Sequence, residues 1–171
     1  ALGTKIEAED GRWRFMETVA FNRRMLEITR WLPYFTASNE YEIPDPKMPF
    51  NTTVYDAKGR IIQTIDPDGD VTRTIFEPLV QHLHDANDTA GTATPKTQRN
   101  DGLERLVEVV ERNGSEEYRT RYAWDALNNL VVITDAQGNT KTMEYDSLKR
   151  NIALHDPDRG TATYEYDDAG N

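Results

Sequence analysis

Three histidines and a dense set of aspartates are the residues of this chain best equipped for chemistry. Asp66, Asp68 and Asp70 surround Gly69 with hard oxygen donors of the kind that bind calcium. In the helix-loop-helix calcium site, however, the glycine is sixth, whereas here it stands fourth, and a tight turn accounts for the run better. His82 and His84, two apart in an expected strand, share a face and could hold zinc with Asp85. A zinc site needs a third His or a Cys nearby, and the sequence offers neither. His155 beside Asp156 reads as a surface residue. The carboxylate pairs Asp167/Asp168 and Asp156/Asp158 suggest a glycosidase or an aspartyl protease, but those need two acids in an apolar cleft, and adjacent acids in a hairpin turn point into water. Asn51-Thr52-Thr53, Asn87-Asp88-Thr89 and Asn113-Gly114-Ser115 are glycosylation sequons, meaningful only in a eukaryotic secretory route. Trp13, Trp31, Trp124, Tyr145 and Tyr166 could stack on sugar rings, although regular placement favours packing. The expectation is therefore a protein that is not an enzyme, with no catalytic residue, no cofactor site and no metal site.

The elements that position these residues repeat. Trp124-Asp125-Ala126-Leu127-Asn128-Asn129, Tyr145-Asp146-Ser147-Leu148-Lys149-Arg150 and Tyr166-Asp167-Asp168-Ala169-Gly170-Asn171 are one phrase at intervals of 21 residues. Eleven residues after the first two aromatics come turns, Asp135-Ala136-Gln137-Gly138-Asn139 and Asp156-Pro157-Asp158-Arg159-Gly160. The β-branched or alternating stretches between, such as Leu130 to Thr134 and Thr140 to Tyr145, read as strands. Laid backwards, the same ruler finds Tyr55-Asp56-Ala57-Lys58-Gly59-Arg60 with its turn at Asp66-Pro67-Asp68-Gly69, a worn start at Phe76, and Asn100-Asp101-Gly102-Leu103-Glu104-Arg105. Starts at 55, 76, 100, 124, 145 and 166 define a hairpin module that cannot stand alone and stacks on its neighbours. The Asp of each start is expected to open the turn by accepting backbone N–H bonds, and the aromatic to lie against the ring of the next hairpin.

A phrase YDxxGR, a strand, a D-P-x-G turn and a second strand ending in Tyr-Asp resembles the YD repeat of Rhs proteins, teneurins and the shell components of tripartite insecticidal toxin complexes, over residues 55–171. Two further stretches resemble the B components of those complexes and virulence-plasmid-B-type proteins: Phe76-Glu77-Pro78-Leu79-Val80-Gln81 leading to Asp85-Ala86-Asn87-Asp88-Thr89, and Val19 to Asn22 through Trp31 to Ser38. Asn100, Glu104, Met25 and Ala86 depart from that pattern. The resemblance implies an all-β fold of consecutive antiparallel hairpins, a section of a spiralling β-shell around a toxic C-terminal cargo. The implied partners are the rest of that shell, the enclosed polypeptide and other toxin-complex subunits, and the implied location is secreted or cell-surface in bacteria. The self-cleaving aspartyl site of such shells lies downstream of their repeats and has no match here. A cell-surface adhesion or carbohydrate-binding module, as in teneurin-like chains, is the alternative.

The bulk composition agrees. Thirty acidic against 20 basic residues, a net charge of −10, argue against nucleic acid or an anionic membrane as partner. Without cysteine there is neither a disulfide nor a thiolate site, and no run reaches the ~20 apolar residues of a membrane span. Residues 1–50 are expected to be a polar start, frayed to about residue 11, then a region at 12–31 readable as two strands or as one helix, with the strands favoured, then an arm holding Pro33, Pro44, Pro46 and Pro49. Residues 51–171 are expected to be the hairpin region, with a long loop at 84–99. The last start stops at Asn171, before its strand, so the chain is expected to be a piece of a longer protein with exposed edges and a tendency to associate.

Overall fold

The computed structural model describes residues 2–90 and 94–170. Fifteen strands run through them, and the strand pairings are antiparallel. The chain forms two compact units, Ala1–Ile75 with His84–Gly91, and Phe76–Leu83 with Thr92–Asn171.

In the first unit the strands are β1 (Leu2–Glu7), β2 (Trp13–Phe21), β3 (Glu27–Trp31), β4 (Tyr34–Thr36), β5 (Phe50–Tyr55), β6 (Ile61–Ile65) and β7 (Val71–Glu77), the last running on past Ile75. Their order is β1-β2-β3-β5-β6-β7, with β4 paired to β2. Two strands thus occupy the region at 12–31, where the shared parity of Trp13 and Phe15 and the β-branched Thr18 and Val19 prevail over helical spacing. The polar start is not frayed: β1 pairs with β2 from Leu2↔Val19 to Glu7↔Trp13, and Phe15 beneath it is 1% exposed. In the proline-rich stretch, β4 is short, as proline requires, and Lys5 Nζ donates to the carbonyls of Ser38 (2.8 Å) and Glu40, tying the arm down.

The second unit holds β8 (Val80–His84), β9 (Lys96–Asn100), β10 (Leu106–Asn113), β11 (Glu116–Trp124), β12 (Leu130–Thr134), β13 (Thr140–Tyr145), β14 (Asn151–Asp156) and β15 (Gly160–Thr163), His84 itself belonging to the first. They pair in that order. β9 lies inside the stretch expected to be loop: Lys96-Thr97-Gln98-Arg99 has no apolar alternation, yet it pairs with β8 and with β10, and Thr97 is 1% exposed. The start at Phe76 is worn further than its sequence suggests, since Phe76 lies within β7 and a two-residue turn at Pro78-Leu79, with Leu79 at φ 58°, follows.

Among the described residues buried apolar side chains are few: Phe15, Val19 and Pro44 in the first unit, Val109 and Val110 in the second. Val109 and Val110 are consecutive, so they point to opposite faces of β10, and the sheet is covered on both faces there.

Candidate functional site

What recurs along this chain is its turn, and the turn is built from the sequence motif. In the starts at 55, 100, 124 and 145 the aspartate Oδ1 accepts two backbone N–H bonds, from the residues two and four further on. The main chain of that aspartate also donates to the carbonyl four residues on, at 2.9–3.0 Å. The other carboxylate oxygen receives the last residue of the motif: Arg60 Nε at 2.7 Å, Arg105 Nε at 2.8 Å, Asn129 Nδ2 at 2.8 Å and Arg150 Nε at 2.6 Å. Asn22 repeats the pattern with its amide oxygen, accepting from Arg24 and Leu26, so Phe21-Asn22 is a further start. The fourth residue after each aromatic or its equivalent has positive φ: Met25, Gly59, Glu104, Asn128, Lys149 and Gly170, between 59° and 86°.

These bonds favour the ionised carboxylate. Asp56 and Asp146 are held below the ordinary aspartate range first by the backbone N–H of Arg60 and Arg150, Asp125 first by that of Asn129, and Asp101 first by the Arg105 side chain. In the turns of the opposite edge, Asp135 is lowered first by the Asn139 side chain and Asp156 first by Lys141, whose ammonium lies 3.1 Å away.

The second recurring contact joins one start to the one before it. Five starts close with a β-bulge: Phe21 stands opposite Glu27, Tyr55 opposite Ile61, Asn100 opposite Leu106, Trp124 opposite Leu130 and Tyr145 opposite Asn151, with the register shifting there. At three starts the aromatic donates to the carbonyl six residues after the preceding start. Tyr55 Oη donates to Glu27 O, Trp124 Nε1 to Leu106 O and Tyr166 Oη to Asn151 O, each at 2.8 Å. The motif arginine then lies over that aromatic, Arg105 at 5.9 Å from the Trp124 centroid and Arg150 at 4.6 Å from Tyr166. Turn tips are tied as well: Arg24 Nη1 reaches Asp56 O, Arg105 Nη1 reaches Asp125 O and Asn128 Oδ1, and Lys149 Nζ reaches Leu127 O.

The expected stack of ring on ring is therefore corrected to ring beneath arginine. Equivalent aromatics are two strands apart, ~9.6 Å at the usual strand spacing, beyond the ~4.5–7 Å at which rings interact. Rings do meet at Phe15–Tyr34 (5.5 Å) and Trp31–Phe50 (5.9 Å), where the residues come from neighbouring strands.

The residues singled out for chemistry fall elsewhere in this scheme. Asp66 Oδ1 accepts from the N–H groups of Asp68 and Asp70, which makes that run a turn. His82 Nδ1 is 3.1 Å from Thr97 Oγ1 and its Nε2 3.8 Å from Glu77; His84 Nδ1 is 3.6 Å from Asp88. Asp85 Oδ1 accepts from the N–H of Asn87. Among the described residues no three His, Asp or Glu side chains gather around a common point. His155 Nδ1 is 2.8 Å from Thr161 Oγ1, and Asp167 Oδ1 accepts from Ala169 N–H while Asp168 is exposed. Among the described residues no helix is long and apolar enough to cross a membrane.

Residues 101–140 and 124–161 match the RHS Repeat family. The fold is similar to the crystal structure of TcdB2-TccC3, with a TM-score of 0.85 and 20% identity over 98% of this chain and 10% of that one. TcdB2-TccC3 without its hypervariable C-terminal region gives a TM-score of 0.86 at 21% identity over 94% of this chain and 9% of that one. The Tc holotoxin pore of Photorhabdus luminescens gives 0.81 at 20% identity, again over 98% and 10%. This chain spans about a tenth of the length of those it matches. No curated protein matches its sequence.

Proposed function

We infer that this chain, a YD-repeat Rhs protein related in fold to Tc toxin subunits, serves as a section of shell wall enclosing a toxic C-terminal polypeptide in a secreted bacterial toxin complex. One observation carries this reading: at three starts, Tyr55, Trp124 and Tyr166, the aromatic donor lands on the carbonyl that the preceding start supplies. A ribbon tied in this way grows by adding units of one kind, each resting on the last, which is what an extended wall requires and a compact catalytic domain does not. On this reading the chain works by confinement and has no catalytic, cofactor-binding or metal residue of its own. Its partners are the adjoining wall, the enclosed polypeptide and other toxin-complex subunits. An adhesive or sugar-binding surface is the second reading; it would use aromatic faces open to a ligand, and Trp124 and Tyr166 each carry an arginine over one face. The test is a chimera in which residues 2–170 replace the structurally equivalent section of TcdB2-TccC3. The expected result is a particle of unchanged size whose enclosed segment resists added protease. An intact particle whose enclosed segment is cut would refute the assignment.

A further inference from the structure

The two turn edges of the second unit differ in chemistry. On one edge are the turns at Asn113–Glu116, Asp135–Asn139 and Asp156–Gly160, which hold no large apolar residue. On the other, each of three successive starts places a leucine at the tip: Leu103, Leu127 and Leu148, which are 67%, 55% and 70% exposed. All three are the third residue after the start, each immediately before the position of positive φ and immediately after a small residue, Gly102, Ala126 or Ser147. The turns that carry them are fixed side by side. Arg105 Nη1 bonds Asp125 O at 3.2 Å and Asn128 Oδ1 at 2.8 Å, and Lys149 Nζ bonds Leu127 O at 2.7 Å. One hairpin separates neighbouring leucines, so they are spaced ~9.6 Å apart along the edge.

The residue after each leucine changes along this row from Glu104 to Asn128 to Lys149, that is, from negative to neutral to positive. Such a row is complementary to itself when turned end for end. A two-fold axis at Leu127 puts Leu103 against Leu148 of a second copy, Leu127 against Leu127, Glu104 against Lys149 and Asn128 against Asn128. Among the described residues Glu104 makes no ion pair, and Lys149, whose charge also acts on Asp125, spends one of three N–H donors on Leu127 O.

We propose that this leucine-bearing edge is a self-association surface whose partner is a second copy of the same edge, related by two-fold symmetry. An isologous contact of this kind requires one patch to be complementary to itself in both shape and charge, and the even spacing and the Glu-Asn-Lys gradient supply both. Sheet twist turns the outer leucines away from a straight line, so Leu127 on the axis contributes most. The small residues beside the leucines let the two backbones approach.

The patch is small beside the ~1,000 Å² of a stable interface, so a dissociation constant on the order of 0.1–1 mM is expected. Sedimentation velocity of the 171-residue protein from ~10 μM to ~2 mM tests it, the range following from that constant. The wild type should show a monomer–dimer equilibrium within the range, and Leu127→Asp, an exposed change at a turn tip, should weaken it at least ~10-fold, as burying an unpaired charge requires. Glu104→Lys or Lys149→Glu alone should weaken the dimer through like-charge contacts, and the two together should restore it. A monomer throughout, a dimer indifferent to Leu127→Asp, or a double charge exchange no better than either single change would each overturn the proposal.

Discussion

Replacing Glu104 by glycine should stabilise the second unit, and replacing Gly138 by alanine should destabilise it, because both sit in left-handed backbone. Glu104 has φ 62° at the fourth position of its start, where Gly59 and Gly170 occupy the equivalent places at 86° and 85°. A residue with a Cβ loses ~1–2 kcal/mol in that conformation, while glycine loses ~0.5–1 kcal/mol of chain entropy on folding. The net gain for Glu104→Gly is thus ~0.5–1 kcal/mol, and Gly138→Ala should cost a similar amount. At Gly138, φ 87°, an added Cβ would meet nothing within 4 Å, so the loss reads backbone strain alone, free of any steric clash. The assay is urea unfolding followed by Trp124 fluorescence, with Trp13 and Trp31 of the first unit replaced by Phe so that the signal reports the second unit. Protein is kept near 5 μM, below the range in which copies would meet (~0.1 mM and above). On heating, changes of this size correspond to ~1–4 °C in a chain of this length. If Glu104→Gly lowers the midpoint, or Gly138→Ala leaves it unmoved, the left-handed position is not what holds these turns.

The contacts between starts should be measurable one at a time. Tyr166→Phe keeps the ring beneath Arg150 and deletes only the bond to Asn151 O, so a loss of ~1 kcal/mol is expected by denaturation, while a neutral result would mean the bond contributes nothing beyond its hydration. Thr18 Oγ1 is buried without a hydrogen-bond partner in a residue 1% exposed, so Thr18→Val should be neutral or stabilising by up to ~1 kcal/mol; clear destabilisation would reveal a partner for the hydroxyl. Asp56, Asp101, Asp125, Asp135, Asp146 and Asp156 all have lowered pKa values, so the folded chain binds fewer protons than the unfolded one in mild acid. Their contribution is fully present above the unfolded value of about 3.9 and is lost as pH falls through the lower folded values. Unfolding free energy should therefore decline with acidification through that window, and Asp146→Asn should flatten the decline; an unchanged slope would refute the role given to the carboxylate.

The fold was legible where the sequence states it in side chains. The Asp-led turns, the period and the strands at Leu130–Thr134 and Thr140–Tyr145 follow from residue types that only such turns and strands accommodate together. The pairing of β2 with β3 was legible for the same reason, through parity and branching. β1 and β9 were hidden because polar sequences such as Lys96 to Asn100 become strands only when strands on either side supply the ladder. The link from one start to the next was half hidden. Its donors, Tyr55, Trp124 and Tyr166, stand out, but its acceptors are main-chain carbonyls of Glu27, Leu106 and Asn151, and a carbonyl places no demand on the side chain that bears it. The arginine over the ring had a visible signal, the last residue of YDxxGR, which the turn alone does not fully employ: Arg105 and Arg150 bind their aspartate through Nε and lie over the following ring with the same guanidinium.

A sheet with few buried apolar side chains must draw its stability from contacts that recur with each unit. In a linear array, stability approximates a sum over units and the interfaces between them. Here one interface consists of a strand ladder, a donor on a carbonyl and, at Trp124 and Tyr166, a cation on a ring. The donor on the carbonyl and the cation on the ring are worth about 1 kcal/mol each, so damage at one start should loosen that hairpin and its neighbour while distant ones hold. Hydrogen exchange on Trp124→Ala, which removes both the bond to Leu106 O and the surface beneath Arg105, should show faster exchange in β10 to β12 and little change at β14. Uniform acceleration across the second unit would mean that it unfolds as one cooperative body. The repeat would then be a feature of its sequence without being the unit of its stability.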